Sequence, residues 1–213
     1  MTSAVVASQD QDRALGFVIV RSPNFWFVCL TTSCTLLSWS RLRLHRVYTE
    51  RLSAHATRLR FRYRSMPPFY GVKLSDSPLT EWHAFATIPD VNPATGEPAR
   101  SFSVVVSNAG DWTKKQIDDD DASGERRLWV RGAPLHGVLY TSRLFQQIVL
   151  VATGSGIGPC LSLLSARATS VRVLWSTRDP LATYGEAVVR AVERADPQAV
   201  IWNTTARGYP DIV

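Results

Sequence analysis

The segment VLVATGSGIGPCLSLL, residues 149–164, has the residue types of a phosphate-binding turn. An apolar β-rich run leads into Gly154 and Gly156, and Pro159 follows before the chain becomes apolar again. Glycines allow a tight turn and a close approach of the backbone to a ligand, and proline is tolerated in the first turn of a helix. The N–H groups at such a helix start can bind a diphosphate. A tight strand-to-helix turn without a ligand is the alternative.

The strand predicted after this loop ends in the segment LWSTRDP, which contains Ser176 and Arg178. In a dinucleotide site, an acidic residue at this place binds the ribose of NAD, whereas an arginine accommodates the 2′-phosphate of NADP. Arg178 therefore favours NADP, while Asp179 beside it keeps NAD possible. A solvated loop arginine is the alternative interpretation of Arg178.

The C-terminal part of the chain, residues 146–213, alternates between strand and helix patterns. Strands are predicted at 147–153, 170–176 and 198–204, and helices at 158–168 and 183–195. Alternation of this kind predicts a parallel sheet with right-handed crossovers. Three strands make a small sheet for this architecture, so we expect an incomplete α/β domain that binds NAD(P).

Residues 45–145 contain short alternating runs broken by turn residues, which is typical of an antiparallel β-barrel or sandwich. The segment RLRFRYR, residues 58–64, alternates strictly, with its arginines on one face and its apolar residues on the other. A solvated basic face is the simple interpretation, and a surface for anionic lipid or nucleotide phosphate is the alternative. A short helix is predicted to start near Asp111 or Thr113.

The N-terminal region divides into a tail, residues 1–22, and an uncharged apolar stretch, residues 23–40. Trp26 and Trp39 near the two ends of the stretch are typical of interfacial anchors, and arginines follow directly. We therefore predict a transmembrane helix over 23–40, with a membrane location and the C-terminal domains facing the cytoplasm. A helix buried in the core of a soluble domain is the alternative, because the stretch is shorter than about 20 residues.

Composition narrows the classes of partner. The formal net charge of +6 and the pI near 9.6 permit anionic partners, although nothing in the sequence favours nucleic acid. The three cysteines do not form a disulfide framework, and the four histidines lack the spacing of zinc ligands. No metal site is predicted, and a reducing compartment is the simplest inference.

Four segments in this order together resemble the ferredoxin–NADP reductase superfamily, in particular its membrane branch of ferric reductases, NADPH oxidases and fungal integral-membrane flavoproteins. LSDSPLTEWHAFATIP is similar to the flavin-binding strand, and SNAGDWTKK to the segment that cradles the flavin phosphates. VRGAPLHG lies where the family has a Gly-Pro-Tyr-Gly turn, and VATGSGIGPCLSLL is similar to the NADPH pyrophosphate loop. The resemblance covers residues 24–213.

The resemblance implies a barrel that binds FAD, followed by a domain that binds NADPH. It places His83, Phe85 and Thr87 beside the isoalloxazine, and Trp112 and Thr113 near the flavin pyrophosphate. The same carry-over gives the NADPH pyrophosphate contacts: Gly154, Ser155, Gly156 and Pro159. No catalytic side chain is implied, because the cofactors carry the chemistry.

The implied activity is a membrane-anchored oxidoreductase module in which hydride passes from NADPH to FAD and electrons go on to an unknown acceptor. Two departures weaken this inference: Ala84 and Ala86 replace family residues of the flavin strand, and the later strands of the NADP domain are missing. A non-catalytic or truncated nucleotide-binding membrane protein, or a fragment of a larger multidomain enzyme such as a fungal adenylate-forming enzyme, is the second hypothesis. A basic peripheral protein on acidic lipid is the third.

Overall fold

A computed structural model of the protein describes residues 15–92, 95–119, 125–166 and 169–211. The chain divides into two compact units, Met1–Leu42 and Arg43–Val213. Most of the predicted N-terminal tail, residues 1–14, lies outside the described part of the chain. The second unit contains two sheets, an antiparallel sheet of seven strands and a parallel sheet of three.

The first unit consists of two helices, α1 (Leu15–Arg21) and α2 (Pro23–Ser40). Pro23 stands at the start of α2, where its missing N–H group removes no helical hydrogen bond. No side chain of α2 is buried, so the alternative of a buried core helix is wrong.

The prediction of a transmembrane helix over 23–40 needs correction, because no helix among the described residues combines the length and apolar character needed to cross a membrane. The helix itself forms, but its 18 residues span roughly 27 Å, less than the hydrocarbon core of about 30 Å. Six of those residues are serine or threonine, which lowers the mean hydropathy. The hydroxyl groups of Thr31 and Thr35 donate to carbonyls one turn earlier in the helix.

The antiparallel sheet forms the barrel that the sequence predicts. Its strands are β1 (Arg43–Arg51), β2 (Ala56–Phe61), β3 (Tyr70–Ser75), β4 (His83–Ala86), β5 (Ile88–Val91), β6 (Pro98–Ser107) and β7 (Glu125–His136). The order across the sheet is β4-β3-β7-β1-β2-β6-β5. The two edge strands, β4 and β5, are separated in sequence by Thr87 alone, so this single chain segment pairs with β3 first and with β6 next. The barrel is therefore nearly closed.

Strand β2 accounts for the alternating basic segment. Leu59 and Phe61 are fully buried in the barrel core, whereas Arg58 and Arg60 point to the opposite face. Both guanidinium groups lie 3.5 Å from a carboxylate oxygen of Glu50, which faces them from β1. Arg60 also lies 3.5 Å from Asp90 Oδ2, so each of these two arginines has a carboxylate partner within the barrel, which does not favour the hypothesis that they rest on acidic lipid.

A short helix, α3 (Asp111–Asp118), follows β6 as predicted, and it packs its Trp112 and Ile117 side chains inward. Trp112 belongs to the core cluster of the barrel, together with residues of β1, β2, β3, β6 and β7. The helix therefore closes part of the barrel next to strand β4.

The parallel sheet confirms the predicted α/β pattern. Its strands are β8 (Gln147–Thr153), β9 (Ser170–Thr177) and β10 (Val200–Asn203), in the order β10-β9-β8. Its helices are α4 (Ile157–Ala166), α5 (Pro180–Tyr184), α6 (Glu186–Ala195) and α7 (Thr204–Arg207). Because each crossover steps in the same direction and is right-handed, α4 and α6 lie on one face of the sheet. The other face carries the exposed side chains of Val149, Val151 and Val200.

The barrel and the parallel sheet are joined by polar contacts, one buried and one partly buried. The Phe69 N–H group, at the start of β3, donates to Ser162 Oγ on α4 at 2.7 Å. Ser53 Oγ, in the turn after β1, donates to the Thr183 carbonyl on α5. These contacts hold α4 and α5 of the parallel sheet against the barrel.

Candidate functional site

The glycine loop connects β8 to α4 at the carboxyl end of the parallel strands. Residues Gly154–Gly156 form a 3₁₀ turn, and α4 begins at Ile157. Gly154 has φ +48°, a left-handed conformation that side chains disfavour. Ser155, Gly156 and Pro159 are all exposed. The start of a ten-residue helix thus faces solvent where α/β proteins bind their ligands, and its N–H groups can meet a diphosphate.

The end of β9 lies beside this loop. Ser176, half-buried, is opposite Thr153 of β8 on one side and Trp202 of β10 on the other. Arg178 follows the strand and is exposed, and its guanidinium makes no hydrogen bond or ion pair with the part of the chain that the structure describes. The Arg178 guanidinium is therefore free to bind an anion at the end of β9, the strand next to the one that leads into the glycine loop.

Asp179, the residue that left NAD binding open, is engaged inside the protein. Its carboxylate accepts a hydrogen bond from the Ala182 N–H group at 3.3 Å and caps helix α5. Its own N–H group donates to Asn203 Oδ1 at 3.2 Å. Because the Asp179 carboxylate already accepts a hydrogen bond from the backbone, it is less suited to bind the ribose of NAD. The end of β9 therefore favours NADP over NAD.

The Cys160 and Tyr184 side chains lie behind the glycine loop, and both are buried. Burial raises the pKa of the Cys160 thiol to about 11, and the thiol donates to the Gly156 carbonyl at 3.2 Å. A thiol with so high a pKa is a weak nucleophile at neutral pH. Burial also raises the pKa of the Tyr184 hydroxyl. We assign no chemical step to either group.

The predicted flavin strand and the predicted flavin-phosphate helix come together in the barrel. The His83 ring stacks on the Trp112 indole, with centroids 4.2 Å apart and an interplanar angle of 18°. Phe85 lies 5.7 Å from the same indole. The indole N–H of Trp112 donates to Asp76 Oδ1 at 3.1 Å, and only 7% of the residue is exposed. The aromatic groups predicted to meet a flavin therefore pack against one another.

The two threonines predicted for this site are also engaged. Thr87 is fully buried, and its hydroxyl donates to the Tyr70 carbonyl at 2.9 Å, which does not support a place beside a flavin ring. Thr113 Oγ1 accepts from the N–H groups of Ala109 and Gly110 at 2.8 and 2.9 Å. These are the loop N–H groups that a phosphate at the start of α3 would need.

A groove of about 360 Å³ lies beside Trp112. It is lined by Asp76, Ser77, Thr80, Glu81, Asp111, Trp112 and Lys115. The amino group of Lys115 is 2.7 Å from Asp76 Oδ2, and His83 Nε2 is 2.9 Å from Glu81 Oε2. Because three carboxylates line the groove and its one ammonium group, that of Lys115, is paired with Asp76, the residues present do not fit a flavin diphosphate.

The charge of Asp76 is set by these contacts. Partial burial favours the protonated acid, but the hydrogen bonds from Lys115 and Trp112, together with the positive charge of Lys115, outweigh it and hold the pKa of Asp76 below its ordinary value. The same hydrogen bond raises the pKa of Lys115.

Replacing Asp76 with asparagine is expected to destabilise the protein at pH 7 by about 1 kcal/mol, because it weakens two hydrogen bonds to a charged acceptor. The folded-state pKa of Asp76 is lowered, so its stabilisation is present above the unfolded pKa and disappears as the pH falls through the folded pKa. Urea unfolding of both proteins across this range measures the difference. If the difference in unfolding free energy between the two proteins stays the same below pH about 3, the negative charge of Asp76 is not the source of the stabilisation.

Comparison with known proteins gives relatives of the whole chain and of its fold. Residues 138–213 match a family described as Adenylate-forming reductase 03009, C-terminal domain. Two curated proteins of Coprinopsis cinerea are similar: Adenylate-forming reductase 03009, 42% identical over 203 residues, and Adenylate-forming reductase 06235, 43% identical over 205 residues. The alignments cover 95% of this chain but 19% of each relative, so the chain spans about a fifth of their length.

Two solved structures show the fold. Full-length CYP116B46 from Tepidiphilus thermophilus superposes with a TM-score of 0.63 at 15% identity, over 82% of this chain and 24% of that protein. The ferredoxin–NADP+ reductase of Plasmodium falciparum with 2′P-AMP superposes with a TM-score of 0.53 at 10% identity, over 75% of this chain and 71% of that protein. The chain thus has a fold of the ferredoxin–NADP+ reductase type. The link to the ferric reductases and the membrane branch finds no support in these matches.

Proposed function

We propose that this chain is an NADP(H)-binding reductase module, and that it forms one part of a longer protein related to the adenylate-forming reductases. The observation that carries the proposal is the pairing of the glycine loop with Arg178. The loop offers a helix start to a diphosphate, and Arg178 offers an unpaired guanidinium at the end of the adjacent strand. These two features match the diphosphate and the 2′-phosphate of one NADP molecule.

The chain's own residues supply binding and orientation in this proposal. The N–H groups around Ser155 and Gly156 would hold the diphosphate, and Arg178 would hold the adenosine 2′-phosphate. When bound, the dihydronicotinamide supplies a hydride. The similarity to adenylate-forming reductases supports a place for this step within a multidomain enzyme, which is the variant of the second hypothesis that fits the relatives best.

Direct titration tests the proposal. The purified chain is expected to bind NADPH with a dissociation constant in the micromolar range, measured by isothermal titration calorimetry. A glycine-loop variant, Gly156→Asp, places a negative charge at the start of α4 and is the matched negative control, because an added Cβ at Gly156 meets no atom within 4 Å. Absence of binding to the unmodified chain at about 1 mM NADPH would refute the proposal.

The predicted flavin relay, in which hydride passes from NADPH to FAD and on to an unknown acceptor, is the second candidate. The fold of ferredoxin–NADP+ reductase type favours it, as does the half-buried pair His83 and Phe85 on β4. The acidic groove beside Trp112 opposes it. We expect the protein to remain colourless after incubation with FAD and gel filtration. A yellow protein whose absorption is bleached by NADPH without oxygen would establish the relay instead.

A further inference from the structure

Trp175 lies behind the glycine loop, on the neighbouring strand β9. It stands on the core face of β9 with 1% of its surface exposed. Its indole N–H group donates to the Gly154 carbonyl at 3.0 Å. Gly154 is the residue at which the chain leaves β8 with φ +48°. The hydrogen bond therefore ties the turning point of the loop to the neighbouring strand.

The direction of this hydrogen bond determines what the loop presents to solvent. In a trans peptide the carbonyl of one residue and the N–H group of the next point in opposite directions. The Gly154 carbonyl points inward to the Trp175 indole, so the N–H group of Ser155 points outward. Ser155 is exposed, at the start of the turn that leads into α4. Trp175 thus aims one N–H group at the place where a diphosphate would lie.

Tyr184 extends the same buried contact to the strand end that carries Arg178. Its ring packs edge-on against the Trp175 indole, with centroids 5.2 Å apart, and its hydroxyl lies 3.8 Å from the position of a Cβ on Gly154. Thr177, the residue before Arg178, partly offsets the rise in the pKa of this hydroxyl, so the two side chains lie close together. Tyr184 therefore lies against both the loop after β8 and the end of β9.

We propose that Trp175 is a positioning residue for the nucleotide diphosphate: its indole N–H fixes the Gly154–Ser155 peptide so that the Ser155 N–H is preorganised toward the ligand. This inference rests on the proposed NADP(H) binding. A preorganised donor saves the cost of ordering the loop when the ligand binds. The contribution is confined to the diphosphate, because the indole N–H donates to the Gly154 carbonyl of the loop and makes no hydrogen bond to Arg178.

The test compares Trp175→Phe with a matched variant, Trp202→Phe. Both substitutions keep an aromatic ring and remove an indole N–H that donates to a glycine carbonyl, since Trp202 Nε1 donates to the Gly208 carbonyl at 2.8 Å. Trp175→Phe is expected to weaken NADP+ about threefold to tenfold, the loss of one neutral hydrogen bond. It should leave unchanged the affinity for adenosine 2′-monophosphate, which has no diphosphate. Trp202→Phe should change neither.

Each outcome decides between the inference and its premise. If the unmodified chain binds NADP+ and Trp175→Phe binds it equally well, or if both ligands weaken equally, the positioning role is wrong. If the unmodified chain binds no NADP+, the proposed function fails and the inference with it. If Trp175→Phe does not fold, amide hydrogen exchange of the unmodified chain provides the test. NADP+ should then slow exchange at Ser155, and an unchanged rate there would overturn the inference.

Discussion

Replacing Gly185 with alanine is expected to lower the free energy of unfolding by about 3 kcal/mol, a strain of about 1–2 kcal/mol from the left-handed backbone plus the cost of a steric clash. Gly185 has φ +78°, and a Cβ built on it would lie 2.6 Å from the Leu52 carbonyl oxygen. Leu52 belongs to the turn after β1, so neither backbone can move without separating the barrel from the parallel sheet. Thermal or urea unfolding measures the loss.

The control for Gly185→Ala is Gly208→Ala. Gly208 has φ +73°, nearly the same backbone conformation, but a Cβ there meets no atom within 4 Å. It should lose about 1–2 kcal/mol, the backbone strain alone. If the two variants lose equal stability, the close approach between Gly185 and Leu52 adds nothing to the cost of a side chain at Gly185. A larger loss at Gly185 establishes that the close approach of the Leu52 backbone leaves no room for a side chain there.

Gly185 also illustrates what the sequence did not predict. The segment 183–195 has the periodicity of one helix, and the protein divides it into α5, which ends at Tyr184, and α6, which begins at Glu186. A glycine inside a helical pattern is tolerated, so the local sequence contained no strong signal for a break. At the break the Leu52 backbone approaches from a part of the chain more than a hundred residues away, and only a tertiary structure reveals such a contact.

The fold was predictable where the pattern was local. Alternation over 58–64 and the strand–helix rhythm after residue 146 predicted β2 and the parallel sheet, because burial on one face imposes a period that the sequence displays. The partners of the polar groups were not predictable in this way. Glu50 reaches Arg58 and Arg60 through strand register, and Trp175 reaches Gly154 across two neighbouring strands. Register between distant segments leaves no trace in a single sequence.

The predicted flavin site shows a further limit of motif reasoning. The residues of the motif come together as expected, since His83, Phe85 and Trp112 form one aromatic cluster. Asp76 and Glu81 lie within the matched segment but are not among the residues to which the resemblance assigns a flavin contact, and they make the groove acidic. A motif specifies residue types at a few places, whereas binding of a diphosphate depends on the summed charge of everything that lines the groove.

Replacing Arg178 with alanine is expected to weaken NADPH about tenfold to a hundredfold while leaving NADH nearly unchanged. The reason is that only NADPH carries the 2′-phosphate, and a charge-assisted hydrogen bond is worth about 1.5–3 kcal/mol. The loss should shrink as salt concentration rises, because the guanidinium is exposed and its attraction is screened. Isothermal titration with both nucleotides at two ionic strengths measures these effects.

Two further variants separate the geometry of Arg178 from its charge. Arg190→Ala removes the same charge from the exposed face of α6, where Arg190 pairs with Glu186, and should leave the preference for NADPH intact. Arg178→Lys keeps the charge but loses the planar pair of donors, so an intermediate affinity is expected. Equal weakening of NADPH and NADH by Arg178→Ala would show that the residue supports the fold of the loop. A loss confined to NADPH would assign the end of β9 to the 2′-phosphate, because no other part of the two nucleotides differs.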